Sequence, residues 1–346
     1  MDSIQDKWIA SFVSAFQACK VREGELAAIL SETESRPILV KLAELALLRL
    51  NARPFHVVVP TPPSAAPVPI RSTGHSMAIQ EHPAVIKALS ACTFVADLTV
   101  EGLLHSIERG PILSGGTRVL MVSNERPEVL ERLLPDPALK AKVQKGVAMA
   151  KAAKRMRISS AAGTDLTVDM TGANIGGGWG YADEPGMMAH WPGGLCAFYA
   201  REGAVNGVVV MDAGDVNLTF KRYLEKPIRL KVESDYIVDI AGEGLDAALM
   251  KSYFEAWNDR NAYAVAHLGW GMNSRARWDS LVMFDRDDIN GTEQRAFAGN
   301  FLFSTGSNRF ANRYTQGHFD LPMRNCSIAL DGKLIVDAGR LAPELA

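Results

Sequence analysis

The sequence predicts two domains: an α/β domain with a parallel sheet over residues 1–155, and an α+β domain with a mostly antiparallel sheet over residues 156–346. Three observations lead to this prediction. The chain has 346 residues, enough for two separate cores. In its first half, strand patterns alternate with helical patterns, which is typical of a parallel sheet covered by helices. After about residue 155, short alternating runs rich in Gly, Thr, Asp and Val favour antiparallel strands.

The first half contains helices and strands in regular succession. Residues 4–20 place apolar side chains at helical spacing. Pro37 begins a second helix that continues to Leu50, since proline is well placed in a first helical turn. The remaining predictions are a short apolar run at 25–30, a buried strand at 55–59, strands at 93–98 and 117–122, and helices at 84–89, 127–134 and 137–155. The proline-rich residues 61–69 predict a loop.

The second half predicts short strands interrupted by one helix. Strand patterns occur at residues 163–168, 207–211, 228–232 and 236–240. The helical pattern runs from Gly244 to Trp257. Alternation of apolar and polar residues between turn residues indicates an antiparallel sheet.

Composition excludes several classes of protein. The formal net charge of −2 argues against a nucleic-acid surface, which requires a basic stripe. The chain contains no apolar run of 18 residues and no signal-peptide pattern, so we expect neither a membrane segment nor a leader. The cysteines form no Cys-x-x-Cys pair and are too few for a disulfide framework, which predicts a cytoplasmic protein. They are Cys19, Cys92, Cys196 and Cys326.

Two histidines and one aspartate form a candidate metal site. His318 and Asp320 are two residues apart, so a strand would direct both to the same side. His267 is the third candidate, and Gly269 and Gly271 beside it would let backbone crowd closely around the site. Two imidazoles and one carboxylate suit iron(II) and leave positions open for substrate and O2. A His-x-Asp/Glu triplet is expected about once by chance in such a chain, so a solvated surface strand remains an alternative.

Longer runs of the sequence resemble the 2,5-dihydroxypyridine 5,6-dioxygenase family. The matching segments are residues 266–271, 295–297, 299–306, 318–326, 180–186 and 190–192, and more loosely 103–106 and 116–118. The resemblance implies one Fe(II) per chain, held by His267, His318 and Asp320. It also implies extradiol-type cleavage of a hydroxylated pyridine, with 2,5-dihydroxypyridine and O2 giving N-formylmaleamic acid in the aerobic catabolism of N-heterocycles. A homo-oligomer is a further implication.

That family is similar in turn to two-metal aminopeptidases of the aminopeptidase T type, which implies an aminopeptidase T-like fold. Those peptidases have Glu-Leu-Gly-x-Gly where this chain has His267 followed by Leu-Gly-Trp-Gly. Their next histidine ligand is replaced by the apolar residues 300–303. A second metal would therefore lack ligands. A two-metal metalloaminopeptidase and a non-catalytic small-molecule binding protein on the same fold remain the alternatives, and the latter requires that the three side chains do not converge.

Two further histidines are candidates for acid–base chemistry. Ring cleavage requires that a substrate hydroxyl be deprotonated, and an imidazole near the metal can accept this proton because its pKa lies near working pH. His105 and His190 lie in the segments that resemble the dioxygenase. The structural alternatives are a helix-capping or solvated role for His105 and a pocket wall for His190.

Three residues are candidates for substrate binding. The planar guanidinium of Arg295 could pair with an anionic hydroxypyridine oxygen, or it could form a structural salt bridge with Glu293 or Asp288. Ser304 could hydrogen-bond substrate or oxygen, or it could belong to a turn at a strand end. Glu184 could orient the neighbouring histidine or cap the turn before Pro185, and we favour the structural role.

Overall fold

A computed structural model describes residues 3–63 and 75–346. Residues 61–63 have no regular secondary structure, and the rest of the predicted proline-rich loop lies outside the described residues. Within the described part of the chain, no helix is both long enough and apolar enough to cross a membrane.

The first half consists of alternating helices and strands, as predicted. These are α1 (Asp6–Ala18), β1 (Leu26–Glu32), α2 (Pro37–Arg49), β2 (Arg53–Val59), α3 (Pro83–Ser90), β3 (Phe94–Asp97), α4 (Arg109–Ser114), β4 (Arg118–Val122), α5 (Pro127–Arg132) and α6 (Pro137–Ala152). The proline at the first turn of α2, predicted from sequence, is present there.

The second half consists mainly of strands. These are β5 (Arg155–Ser160), β6 (Asp165–Asp169), β7 (Asn174–Gly178), β8 (Met188–Trp191), β9 (Leu195–Tyr199), β10 (Val205–Met211), β11 (Val216–Asn217), β12 (Arg222–Tyr223), β13 (Ile228–Glu233), β14 (Tyr236–Gly242), α7 (Gly244–Trp257), β15 (Val265–Gly271), α8 (Thr292–Ala296), β16 (Phe301–Thr305), β17 (Phe319–Met323), β18 (Cys326–Leu330), β19 (Lys333–Asp337) and β20 (Arg340–Leu341). The predicted helix at 244–257 is confirmed.

The first sheet is parallel, with the strand order β2-β1-β3-β4-β8. The prediction that residues 55–59 form a buried strand is wrong as to burial, because β2 lies at the sheet edge and Val58 is 62% exposed. Strand β8 pairs with β4 although it follows residue 155. The chain therefore returns to the first sheet after entering the second half, and a two-domain division at residue 155 stays a prediction.

Two further sheets are built from strands of the second half, and the predicted antiparallel pairing is confirmed. One has eight strands in the order β14-β13-β10-β6-β5-β18-β19-β20, and the other has five in the order β17-β16-β15-β9-β7. Their apolar faces share one hydrophobic core, which includes Ile158 and Ile328 from the first of these sheets and Phe198 and Trp270 from the second. Leu139, Val143 and Ala150 of α6 belong to the same core, so this helix of the first half packs against the five-stranded sheet.

Buried carboxylates join the two halves. Glu125, after β4, accepts hydrogen bonds from the backbone N–H groups of residues 290–292 at the start of α8. Arg132 of α5 forms a two-pronged ion pair with the buried Glu293 of α8, at 2.5 and 2.7 Å. Because a bidentate arginine–carboxylate pair restrains both orientation and distance, these contacts hold α8 against the parallel sheet.

The loop after β3 is held by two carboxylates at the carboxyl ends of parallel strands. Asp97 accepts hydrogen bonds from the backbone of Thr99 and Leu103, at 3.1 and 2.7 Å. Glu32, at the end of β1, accepts a hydrogen bond of 2.6 Å from Val100 N. Ligands of open α/β sheets bind beyond this edge. The loop that contains His105 is therefore fixed at the edge where a site is expected.

A buried ion pair offers a test of what holds the second half together. Asp235 accepts hydrogen bonds from Gly203 N and Val205 N and pairs with buried Arg313 at 2.9 Å. For Asp235→Ala we expect the free energy of unfolding to fall by about 3–5 kcal/mol, because a buried charge loses its partner. Urea denaturation measures this change. The matched control is Asp239→Ala, at an exposed position of β14, with an expected effect within about 0.5 kcal/mol. Equal effects of the two substitutions would contradict this role of Asp235.

Candidate metal centre

Three neighbouring strands bring the candidate ligands together. In the pairing of β16 with β17, Ser304 lies opposite Asp320. In the pairing of β15 with β16, the register shifts between Val265 and Leu268, so that His267 lies in a bulge beside Ser304. Bulges redirect side chains and are common next to active sites. His267, Ser304 and Asp320 therefore form a row across three strands.

His318 joins this row from the residue just before β17. It precedes Asp320 by two positions, and its Nε2 lies 3.3 Å from Asp320 Oδ2. The hydroxyl of Tyr253 donates to the His318 carbonyl at 2.9 Å and accepts from its N–H at 3.0 Å. Thr219 donates a second hydrogen bond to the same carbonyl. The spacing predicted that both side chains point to one side, and the backbone contacts hold them there.

The three candidate ligands form one compact, buried group. Each of His267, His318 and Asp320 offers one ligand atom, and these atoms all lie within 4.8 Å of one another. His267 Nε2 lies 3.5 Å from Asp320 Oδ1. His267 is 7% exposed and Asp320 is 5% exposed. Two imidazoles and a buried carboxylate at these distances can hold one cation with positions left open.

The glycines that follow His267 make room for backbone. A Cβ atom at Gly269 would lie 2.2 Å from Cys196 O on β9, and one at Gly271 would lie 2.1 Å from Phe297 O. Backbone therefore does approach these glycines closely, as expected. The approaching backbone belongs to β9 and to the segment after α8, which lie beside the candidate metal centre. Both positions keep β15 tightly packed behind His267.

Arg295 and Ser304 contact Asp320 directly. Arg295 Nε donates to Asp320 Oδ2 at 2.5 Å, and the Ser304 hydroxyl donates a short hydrogen bond to Oδ1. The alternative salt bridge of Arg295 with Glu293 or Asp288 is not formed. Glu293 pairs with an arginine of α5, and Asp288 pairs with two arginines of the first half. Two of the three predicted substrate-binding residues, Arg295 and Ser304, therefore contact the Asp320 carboxylate.

Electrostatic interactions prepare the three side chains for a cation. Burial opposes ionisation of Asp320, but Arg295 and His318 hold the pKa of its carboxyl well below the ordinary value. Burial lowers the pKa of His267 to about 4, so its imidazole is neutral near neutral pH. Burial also acts to lower the pKa of His318, but the Asp320 carboxylate more than offsets it and raises the pKa. Of the three candidate ligands, only His318 would have to lose a proton before it could bind a cation.

The candidate ligands open onto a cavity of about 1200 Å³ between the two halves. His105 lines this cavity, with its ring stacked on that of His267 at a centroid distance of 6.0 Å. Its Nδ1 lies 3.0 Å from the hydroxyl of Tyr199. The surrounding protein and the neighbouring imidazoles hold the pKa of His105 well below its ordinary value. The structure thus places a neutral imidazole beside the candidate ligands.

His190 lines the same cavity from the end of β8. Its Nδ1 lies 2.7 Å from the carbonyl of Pro192. A carbonyl can only accept, so Nδ1 donates and the neutral ring carries its lone pair on Nε2. A Cβ atom at Gly178 would lie 2.7 Å from that Nε2, so glycine there makes room for the ring. Burial lowers the pKa of His190, and the hydrogen bond to the Pro192 carbonyl acts in the opposite direction.

Glu184 is not brought to the cavity. It is exposed in the turn before Pro185, where its carbonyl accepts a hydrogen bond from Met187 N. His190 is oriented by the carbonyl of Pro192 and not by this carboxylate. The substrate-binding role of Glu184 is therefore unsupported by its position, whereas the structural role in the turn fits it.

Tyr199 is a cavity residue that the sequence did not indicate. It packs edge-on against His267 at 5.6 Å and contacts Phe310 at 5.4 Å, in addition to its contact with His105. It lies at the end of β9, on the less buried face of the strand. The sequence could have indicated Tyr199 only as an aromatic residue on a partly exposed strand face. This pattern is too common to identify one particular cavity residue.

Comparisons with known proteins point to one family over nearly the whole chain. A family model described as NicX, 2,5-dihydroxypyridine 5,6-dioxygenase, matches residues 7–343. A 2,5-dihydroxypyridine 5,6-dioxygenase of Pseudomonas putida strain KT2440 is 37% identical over 338 residues, covering 96% of this chain and 95% of that protein. The solved structure of 2,5-dihydroxypyridine dioxygenase from P. putida KT2440 superimposes with a TM-score of 0.94 at 34% identity, covering 99% of this chain and all of that one.

A more distant likeness concerns the fold alone. AmpT from Thermus thermophilus superimposes with a TM-score of 0.62 at 13% identity, covering 97% of this chain and 99% of that chain. The predicted aminopeptidase T-like fold is therefore confirmed. The match of the family model over nearly the whole length, together with the relative of 37% identity, decides the family. This chain belongs to the 2,5-dihydroxypyridine 5,6-dioxygenase family.

Proposed function

We propose that this chain is a mononuclear non-haem iron(II) dioxygenase that cleaves the ring of 2,5-dihydroxypyridine. The observation that carries the proposal is the buried group of His267, His318 and Asp320 at the floor of a cavity, in a chain of this family. The product would be N-formylmaleamic acid. The C5–C6 ring bond breaks, one oxygen atom of O2 completes a carboxyl group at C5, and the other forms a formyl group at C6. Both atoms of O2 enter the product, so no reductant is required.

The donor set fits one iron(II) ion. It contains two imidazoles and one carboxylate without a thiolate, the combination that holds non-haem iron and leaves positions open. Asp320 is ionised and His267 is neutral near neutral pH, as ligands must be. The buried Nδ1 of His267 has no hydrogen-bond partner among the described residues. When bound, iron would supply the electron transfer that allows O2 to react with an aromatic ring.

The protein itself would position the ring and accept a proton. The substrate hydroxyl at C5 must lose its proton before the ring can donate electrons, and a neutral imidazole in the cavity can accept it. His190 and His105 are the two candidates. The hydrogen bond from Nδ1 to Pro192 leaves Nε2 of His190 as the acceptor atom, which favours His190. His105 instead shares its Nδ1 with the Tyr199 hydroxyl.

The two alternatives have less support. A two-metal aminopeptidase would share the AmpT fold, but that likeness is at 13% identity and carries the fold alone. A non-catalytic scaffold would have no need for three converging ligands, yet they lie within 4.8 Å. Cytoplasmic location and homo-oligomeric assembly are further parts of the proposal. The four cysteines are all free and buried, which agrees with a reducing compartment.

The first prediction tests the metal. For His318→Ala we expect loss of stoichiometric iron(II) binding and a fall of about 100-fold or more in O2 uptake with 2,5-dihydroxypyridine, because one of three ligands is removed. Metal analysis after anaerobic loading and an oxygen electrode measure the two effects. His82→Ala, at an exposed histidine outside the cavity, is the matched control and should bind one iron per chain. Wild-type turnover by His318→Ala would refute the assignment.

The second prediction concerns the residues that orient Asp320. Ser304→Ala removes one hydrogen bond to the carboxylate and leaves all three ligands in place. We expect the affinity for iron(II) to fall about 10–100-fold, as is usual when a partner of a metal ligand is lost. Competition with a chromogenic chelator measures this affinity. Ser327→Ala, on β18, serves as control. An unchanged iron affinity in Ser304→Ala would show that the contact does not orient the ligand.

The third prediction identifies the base. We expect His190→Gln to lower kcat by about 100-fold or more while the iron content stays at one per chain, since general-base catalysis contributes about this much. His105→Gln, measured in parallel, should have the smaller effect on kcat. The reverse order would assign the proton to His105. Unchanged kcat in both variants would exclude His190 and His105 as the base.

A further inference from the structure

Two arginines from different halves of the chain face the same cavity. Arg109 begins α4 and follows the loop that contains His105, whereas Arg309 lies between β16 and β17. Both line the cavity. Neither forms an ion pair with an acidic side chain among the described residues, whereas Arg295, deeper in the same cavity, pairs with Asp320. Two guanidinium groups thus face one opening without a paired negative charge.

A chain of contacts connects the two arginines along one wall of the cavity. Arg109 donates a short hydrogen bond to the carbonyl of Leu104, next to His105. His105 contacts the hydroxyl of Tyr199 at 3.0 Å, and Tyr199 packs against Phe310 at 5.4 Å. The guanidinium of Arg309 lies 5.0 Å from the Phe310 ring. The two cations therefore flank the aromatic wall that leads down to the candidate metal ligands.

The electrostatics agree with this placement. Partial burial and the charge of Arg309 lower the pKa of Arg109. Burial raises the pKa of the Tyr199 phenol, while Arg109 and Arg309 act in the opposite direction. Two like charges that repel each other without a counter-charge are costly, and an anion between them would remove this cost. Guanidinium groups match the planar fork of a carboxylate in particular.

We propose that Arg109 and Arg309 form a subsite for the carboxylate that ring cleavage creates. The identity of this carboxylate rests on the proposed function: 2,5-dihydroxypyridine has no carboxyl group, and the opened product has one. The subsite would hold the product near the mouth, away from the ligands at the floor of the cavity. It would equally bind short carboxylates that resemble the product, such as maleamate, and would ignore their neutral amides.

The test measures binding to the metal-free protein, so that a carboxylate cannot bind through iron. Calorimetry compares maleamate with neutral maleamide, for the wild type and for Arg309→Gln. We expect wild-type protein to prefer maleamate, and Arg309→Gln to weaken maleamate binding about tenfold or more, as loss of a charge-assisted hydrogen bond predicts. Arg309→Lys should retain much of the affinity. The matched control is Arg229→Gln, at an exposed arginine of β13 outside the cavity, which should bind as the wild type does.

Two results would overturn the subsite: equal binding of maleamate by the wild type and Arg309→Gln, or no preference of the wild type for maleamate over maleamide. The proposed function is tested separately by O2 uptake of the iron-loaded wild type. If maleamate binding depends on Arg309 while no dihydroxypyridine supports O2 uptake, the proposed function fails and the carboxylate subsite stands. If O2 is consumed but maleamate binding is insensitive to Arg309, the subsite alone is refuted.

Discussion

The buried carboxylate of Asp320 is the interaction on which the rest of the site depends. A carboxylate that is 5% exposed stays charged only if neighbouring donors and cations replace water. Arg295 and Ser304 do so from one side, and the imidazoles of His318 and His267 lie on the other. The cost of burying this charge explains why the side chains of Arg295, which lines the cavity, and of the fully buried Ser304 are turned toward a protein group.

Those neighbours in turn depend on how the two halves of the chain are joined. Arg295 belongs to α8, a helix of five residues that would have little stability alone. Glu125 and Arg132 from the first half hold its beginning through buried hydrogen bonds and an ion pair. The same half contributes His105 through a loop fixed by Asp97, at the carboxyl edge of the parallel sheet. The cavity thus forms where the two halves of the chain meet. The candidate metal ligands lie on one side of it, and His105, a candidate base, lies on the other.

The likeness to AmpT indicates how much of this arrangement belongs to the fold. The layered sheets and the position of β15 next to β16 are backbone features, and they are compatible with more than one chemistry. What distinguishes a site is the set of side chains on this backbone. In this chain an imidazole, that of His267, stands in the bulge of β15, and a neutral imidazole there makes a donor set suited to a borderline divalent cation.

The sequence by itself determined most helices and strands of the first half, the helix at 244–257, the two-residue spacing of His318 and Asp320, and the long motifs that identify the family, because these depend on local periodicity and on contiguous residues. It did not determine the pairing of β8 with the first sheet, the edge position of β2 or the cavity role of Tyr199. It also left open whether Arg295 contacts substrate or protein. Those outcomes depend on contacts between residues far apart in the chain, such as Arg295 and Asp320. Sheet register and the burial of charge determine these contacts, and only the tertiary structure fixes the register and the burial.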